Sequence, residues 1–146
     1  MTDTKPNAVW DWLLTCPLIA DLFFNFGASE DGATLLVPLT AYSDVFDVQF
    51  VDGGGFKHCD FSLIRFEALE SEPNNTRNID VLKGFTALCQ WIDDAGEAGR
   101  FPAFPRGCLI NRLYVLPSET GYLSAQDETQ AKYMLQFRIE YLYEKE

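Results

Sequence analysis

His58 is the one histidine of the chain and stands beside Cys59, so a nucleophile–base pair is the first chemistry to weigh. Both residues fall in a segment patterned as a strand, where neighbouring side chains point to opposite faces. That geometry separates the imidazole from the thiol and keeps the two from ligating one metal ion, so the pair is read as structural. Cys16, Cys89 and Cys108 lie on other predicted elements and form no C-x-x-C motif, whereas zinc requires three or four ligands at chelate spacing. All four cysteines are expected as free thiols without a metal.

The acidic clusters are weighed next. Asp93, Asp94 and Glu97 close a predicted helix, where the helix dipole disfavours negative charge, and they are read as a solvated face rather than a contact patch. Asp127 and Glu128, with Glu119 nearby, lack the loop pattern of a calcium-binding EF-hand. Asp52-Gly-Gly-Gly55 joins two strand candidates instead of opening a helix, so it is a hairpin turn and not a phosphate cradle. No catalytic, cofactor-binding or metal-binding residue is assigned, and the chain is not expected to be an enzyme.

These residues are positioned by elements that hydrophobic periodicity makes visible. Tyr133, Leu135, Phe137, Ile139, Tyr141 and Tyr143 alternate with Lys132, Gln136, Arg138, Glu140 and Glu144, the mark of a long strand with one face on a core. A helix is predicted over residues 6–16, with Thr4 as its cap and Cys16-Pro17 as its stop. Strands follow over 34–39, 45–51 and 56–69. Phe46, Val48 and Phe50 are placed on one face of the second, and a bulge or two-sided burial is expected near Ile64 in the third. Pro38 suits a strand end or an edge, because it cannot donate to a ladder. Residues 18–26, with Phe23, Phe24 and Phe26, are read as a loop packed on the core. Pro73 marks a boundary, and Asn78 is the expected cap of a helix over 78–96. Its apolar stripe is Ile79, Leu82, Phe85, Leu88, Cys89 and Ile92. Strands over 108–116 and 131–143 complete the chain, with a long turn between them. Single helices interrupting runs of strands predict one α+β domain over 1–146, a mainly antiparallel sheet of four to five strands packed with two helices.

At 146 residues, with 47% hydrophobic content and 12 Phe, 6 Tyr and 3 Trp, the chain can bury a substantial core. Its 22 acidic against 11 basic residues leave a net charge of −11, which repels phosphate backbones and anionic lipid headgroups. Non-specific nucleic-acid binding is disfavoured. No stretch has the pattern of a secretory signal or the apolar length of a membrane span, so the protein is expected to be soluble and intracellular when made, with its thiols kept reduced.

Several phrases carry a resemblance: Trp12-Leu-Leu-Thr-Cys-Pro17, Phe46-Asp-Val-Gln-Phe-Val-Asp-Gly53, His58-Cys-Asp-Phe-Ser62, Gly121-Tyr-Leu-Ser-Ala-Gln-Asp127 and Ala131-Lys-Tyr-Met-Leu-Gln-Phe-Arg138. Together with the order of elements, they resemble a family of small proteins from the morphogenesis region of tailed-phage and prophage genomes, the tail terminator or minor capsid proteins of the head–tail junction. The resemblance implies a structural protein made in the host bacterial cytoplasm and incorporated into the virion neck. There it would form a ring, usually of six copies, on the last ring of tail-tube protein and present a surface to the head connector. It also implies no cofactor and no enzymatic activity. Within it, the hairpin and the long turn near the end are the natural contact elements, since loops on a rigid sheet carry binding. The expected assembly contacts are Asp52 and Phe56 in the first, and Glu119, Tyr122, Gln126 and Asp127 in the second. The triple glycine is expected to loosen the hairpin.

Two other readings remain open. A small, acidic, Trp-containing domain also suits a bacterial immunity or interaction protein that neutralises a basic toxin. Within the phage reading, a head-closure role is a close rival of the terminator.

Overall fold

The structure, a computed structural model, describes residues 4–19, 21–24, 33–39, 44–68, 76–117, 121–127 and 130–145. In chain order the elements are α1 (Lys5–Leu13), β1 (Asp21–Phe24), β2 (Ala33–Pro38), β3 (Val45–Gln49), β4 (Gly55–Ala68), α2 (Thr76–Ala98), β5 (Cys108–Val115), β6 (Gly121–Asp127) and β7 (Gln130–Tyr143). The domain is α+β, with two helices on a mainly antiparallel sheet, as the order of patterns predicts.

The sheet is organised around its two longest strands. β4 and β7, 14 residues each, pair antiparallel in unbroken register from Gly55↔Tyr143 to Ala68↔Gln130. Each has its other side filled by two shorter strands placed end to end. β3 and β2 line β4, and β5 and β6 line β7. β1 extends the sheet beyond β2 and runs parallel to it.

Five of the seven strands fall where alternation or turn chemistry predicts them. β1 and β6 do not, and both correct the sequence reading. Asp21–Phe24 is a strand rather than part of a packed loop, and four residues are too few to show a period. Gly121–Asp127 replaces most of the expected long turn, and its two register shifts against β7 erase regular alternation. Near Ile64 the second of the two expectations holds: no bulge breaks the β4–β7 or β2–β4 ladder, and Phe61, Ser62, Leu63 and Arg65 are buried, on both faces. Register shifts occur instead between Phe46 and Val48 and between Ile110 and Arg112. Asn78 is no cap, because α2 already begins at Thr76. Phe26 and Pro73 lie outside the described residues.

α1 begins as predicted, with Thr4 Oγ1 accepting the Asn7 N–H at 3.2 Å and Pro6 in the first turn. It ends at Leu13, short of the predicted stop at Cys16. Both helices lie on the face formed by Cys59, Phe61 and Leu63 of β4 and by Tyr133, Leu135, Phe137, Ile139 and Tyr141 of β7, all buried. Phe137 stacks on Phe61 with ring centroids 5.7 Å apart and meets Trp12 of α1 at 5.9 Å. Trp12 touches Trp91 of α2 at 5.2 Å and donates its indole N–H to the Arg100 carbonyl at 2.9 Å, so its polar tip is satisfied inside the core. Phe85, Leu88, Ile92 and Ala95 supply the buried stripe of α2. Tyr141 donates its hydroxyl to Asp44, which also pairs with Lys5 at 3.4 Å and ties the start of α1 to the sheet.

Candidate assembly surface

The face of the sheet away from the helices carries Phe56, His58, Asp60, Ser62 and Ile64 of β4 and Met134, Gln136, Arg138, Glu140 and Leu142 of β7. At one end of the sheet β3, β4, β7 and β5 lie side by side. The register there aligns Val48 with Phe56, Phe56 with Leu142, and Leu142 with Leu109. Three of these are open to solvent, Val48 at 53%, Phe56 at 40% and Leu109 at 66%, while Leu142 is half-buried between them. Phe50 extends the row, meeting Phe56 edge-to-face at 5.7 Å, and Val51 is fully exposed at the turn. Isolated apolar residues on a surface are ordinary, but a contiguous band on a rigid sheet marks an interaction site.

The turn beside this band has a defined shape. Phe50 N–H donates to the Gly54 carbonyl at 2.7 Å, and Gly53 N–H to the Phe50 carbonyl at 3.0 Å. Gly53 adopts φ +95°, which glycine supplies without steric cost. A Cβ on Gly55 would stand 2.1 Å from the Val48 carbonyl oxygen, so the two strands close on each other only because no side chain intervenes. Glycine here sets the path of the chain, where looseness was expected. Asp52 Oδ1 accepts the Gly54 N–H at 2.9 Å, which makes its carboxylate part of the turn as well as an exposed charge.

The expected contacts are therefore divided. Asp52 and Phe56 sit at the exposed band. Tyr122, Gln126 and Asp127 lie on β6, which pairs with residues 130–134 at the opposite end of β7. Glu119 lies outside the described residues. Hence the hairpin and the β6 segment do not form one site. The sequence reading missed Val48, Leu109 and Leu142. It had placed Phe46 and Val48 on one face, but the bulge at Asp47 turns Phe46 to the side of Lys57 and Val48 to the side of Phe56. Phe46 packs on Tyr143 at 6.4 Å, and Lys57 Nζ lies 4.5 Å and 5.0 Å from the two ring centroids.

Behind the apolar band the outer face carries paired polar groups. His58, buried, has Nδ1 at 2.8 Å and 3.0 Å from the two Asp47 carboxylate oxygens. Across β7, Glu140 meets Arg112 at 3.4 Å, and the Arg112 guanidinium lies 4.6 Å from the Tyr114 ring centroid. Arg138 grips Asp60 through two hydrogen bonds of 2.8 Å and 3.0 Å, and this contact holds its pKa above the usual guanidinium value. Cys59 points the other way, into the core. Burial, then the Asp44 charge, pushes its thiol well above the ordinary range, so it supplies no thiolate to His58.

Asp93 corrects another expectation. It is not part of a solvated face but accepts the Val115 backbone N–H of β5 at 2.9 Å. Asp94 is exposed and accepts from Gln90 at 2.8 Å. Among the described residues, no group of three or more His, Cys, Asp or Glu is placed to hold a metal ion. No helix among them is long and apolar enough to cross a membrane. Comparison with protein-family models and with curated protein sequences returned no match.

Proposed function

We propose that this chain is a structural protein of the tailed-phage head–tail junction, a tail terminator that caps the finished tail tube and joins it to the head. The observation that carries the reading is the exposed apolar band of Val48, Phe56, Leu142 and Leu109 beside the Asp52 turn. Such a band on a rigid sheet suits contact with another protein surface. The phrases that resemble terminator proteins run through the same elements, β3, β4 and β7. In this role the protein is made in the host cytoplasm and ends in the virion neck, as a ring between tail-tube protein and head connector.

The net charge of −11 on each copy opposes association until partner contacts and salt offset it. The chain is therefore a monomer or weak oligomer in dilute solution and a ring on the tube end. The test is tail assembly by a phage lacking the gene. Overlong tubes without heads are expected, and tails of normal length that still join heads would remove the terminator role. The acidic surface also favours a second reading, an immunity protein for a basic toxin. A toxin gene beside this one, and inhibition of its product, would support that reading instead.

A further inference from the structure

We infer that copies of this chain join edge to edge, the open half of β5 in one copy pairing antiparallel with β3 of the next. The inference deepens the ring proposed above by naming its seam. Among the described residues, β3 has no strand partner on the side away from β4, and β5 has none on the side away from β7. The second edge is only partly open. Asp93 occupies the Val115 N–H, Gly96 of α2 lies against the Leu113 carbonyl, and the Cys108 N–H donates to the Pro105 carbonyl at 3.2 Å, which leaves Leu109–Arg112 open.

Strand directions make this pairing the natural one. β3 and β7 run one way, and β4 and β5 the other. Placing two copies side by side with the same face outward therefore sets β5 antiparallel to the neighbour's β3 and continues a single antiparallel sheet. One register satisfies two rows at once. With Leu109 beside the next copy's Val48, the apolar row Val48–Phe56–Leu142–Leu109 runs on into its own repeat. The adjacent row, Val45–His58–Glu140–Arg112, then sets Arg112 beside the next copy's Val45 and within diagonal reach of its Asp47.

Charge selects this arrangement over its alternatives. Side chains of opposite sign end the two edges, Asp47 on β3, 43% exposed, and Arg112 on β5, 63% exposed. Pairing β3 with β3, or β5 with β5, would gather like charges, whereas pairing β5 with β3 brings opposite ones within diagonal reach. A seam between different edges is heterologous, and heterologous seams close into rings when the rotation allows. A five-residue strand buries little area compared with the roughly 1,200–2,000 Å² of stable interfaces. The seam is therefore weak until a tube end gathers the copies.

Sedimentation velocity on the full chain, over rising protein concentration in low and high salt, tests the seam. Val48→Lys blocks the β3 edge and Leu109→Lys the β5 edge, and both positions are exposed, so the fold survives; melting curves check that it does. The wild type should self-associate reversibly. Each variant alone should associate roughly tenfold more weakly or not at all. An equimolar mixture should form one-to-one complexes and nothing larger, because each variant keeps one complementary edge. A wild type that stays monomeric up to its solubility limit would overturn the seam, as would a folded variant that associates like the parent or a mixture that stays monomeric. Association through the seam combined with normal tails in the deletion phage would keep the edge pairing and remove the terminator role. Overlong tails with a monomeric protein would do the reverse.

Discussion

A Cβ on Gly96 would stand 1.9 Å from the carbonyl oxygen of Leu113, so the last turns of α2 rest directly on the backbone of β5. The contact brings Asp93 within reach of the Val115 N–H and closes that part of the strand edge. It is a packing use of glycine in the last turn of a helix, where glycine otherwise costs up to about 1 kcal/mol relative to alanine.

Gly96→Ala gains that helix propensity but collides with backbone, which cannot swing aside like a side chain. Overpacking of this kind costs about 1–3 kcal/mol and should exceed the gain. Gly84 is the control. It lies in the same helix, is exposed, and an added Cβ meets nothing within 4 Å, so Gly84→Ala should stabilise by about 0.5–1 kcal/mol. Urea unfolding of the two variants should move in opposite directions. Equal shifts would show that α2 does not press on β5.

Phe137 and Arg138 are neighbours on opposite faces of β7. Phe137 is fully buried between Phe61 and Trp12, and Phe137→Ala should cost about 3–5 kcal/mol, a large share of a domain's total stability. Arg138→Ala loses the two bonds to Asp60. The alternation alone predicts almost no effect there, but this half-buried pair raises the expected cost to about 1 kcal/mol. Thermal melts that rank the two variants the other way would contradict the face assignment.

The four cysteines are free thiols, and each has its pKa raised. Burial, then the Asp93 charge, pushes Cys89 from 9.0 up to about 11. Tyr141 is raised by burial and by its hydrogen bond to Asp44. For an acid whose folded pKa lies above its unfolded one, the folded state holds the proton longer, so the stabilisation is complete below the unfolded value and is lost as pH rises through the folded one. The melting temperature should therefore hold up to about pH 9 and fall between 9 and 11. Cys89→Ala should remove part of that fall, and a flat profile across the window would show that the thiols are not buried as described.

Much of the fold is legible because the central strands are long. Over the length of β7, alternation separates the faces without ambiguity, and in α2 the stripe Phe85, Leu88 and Ile92 emerges from spacing alone. β1 and β6 are harder because their partners make them strands. Four residues beside β2, and seven interrupted by two register shifts beside β7, carry no period of their own. The exposed band was hidden for a related reason. A bulge at Asp47, facing His58 across the strands, reverses the phase of β3 halfway along, and a period-two count runs straight through it. One clue was available. Leu142 breaks the polar set of β7 with an apolar residue on the outer face, in the row that the band occupies.

The pairing of β4 with β7 also governs how the chain acquires its structure in time. All of α2, β5 and β6 lies between these two strands, so the largest ladder in the molecule is a contact of high sequence separation, which slows folding toward the order of milliseconds to seconds. During synthesis β3, β2 and β1 can already gather on one side of β4, but β5 and β6 pair only with β7 and have no template until it is made. In that interval β4 presents 14 residues of unpaired backbone edge, the kind of surface on which nascent chains mispair and aggregate. Changes that prolong the wait for β7 should therefore lower the yield of folded protein while leaving the stability of the finished molecule untouched.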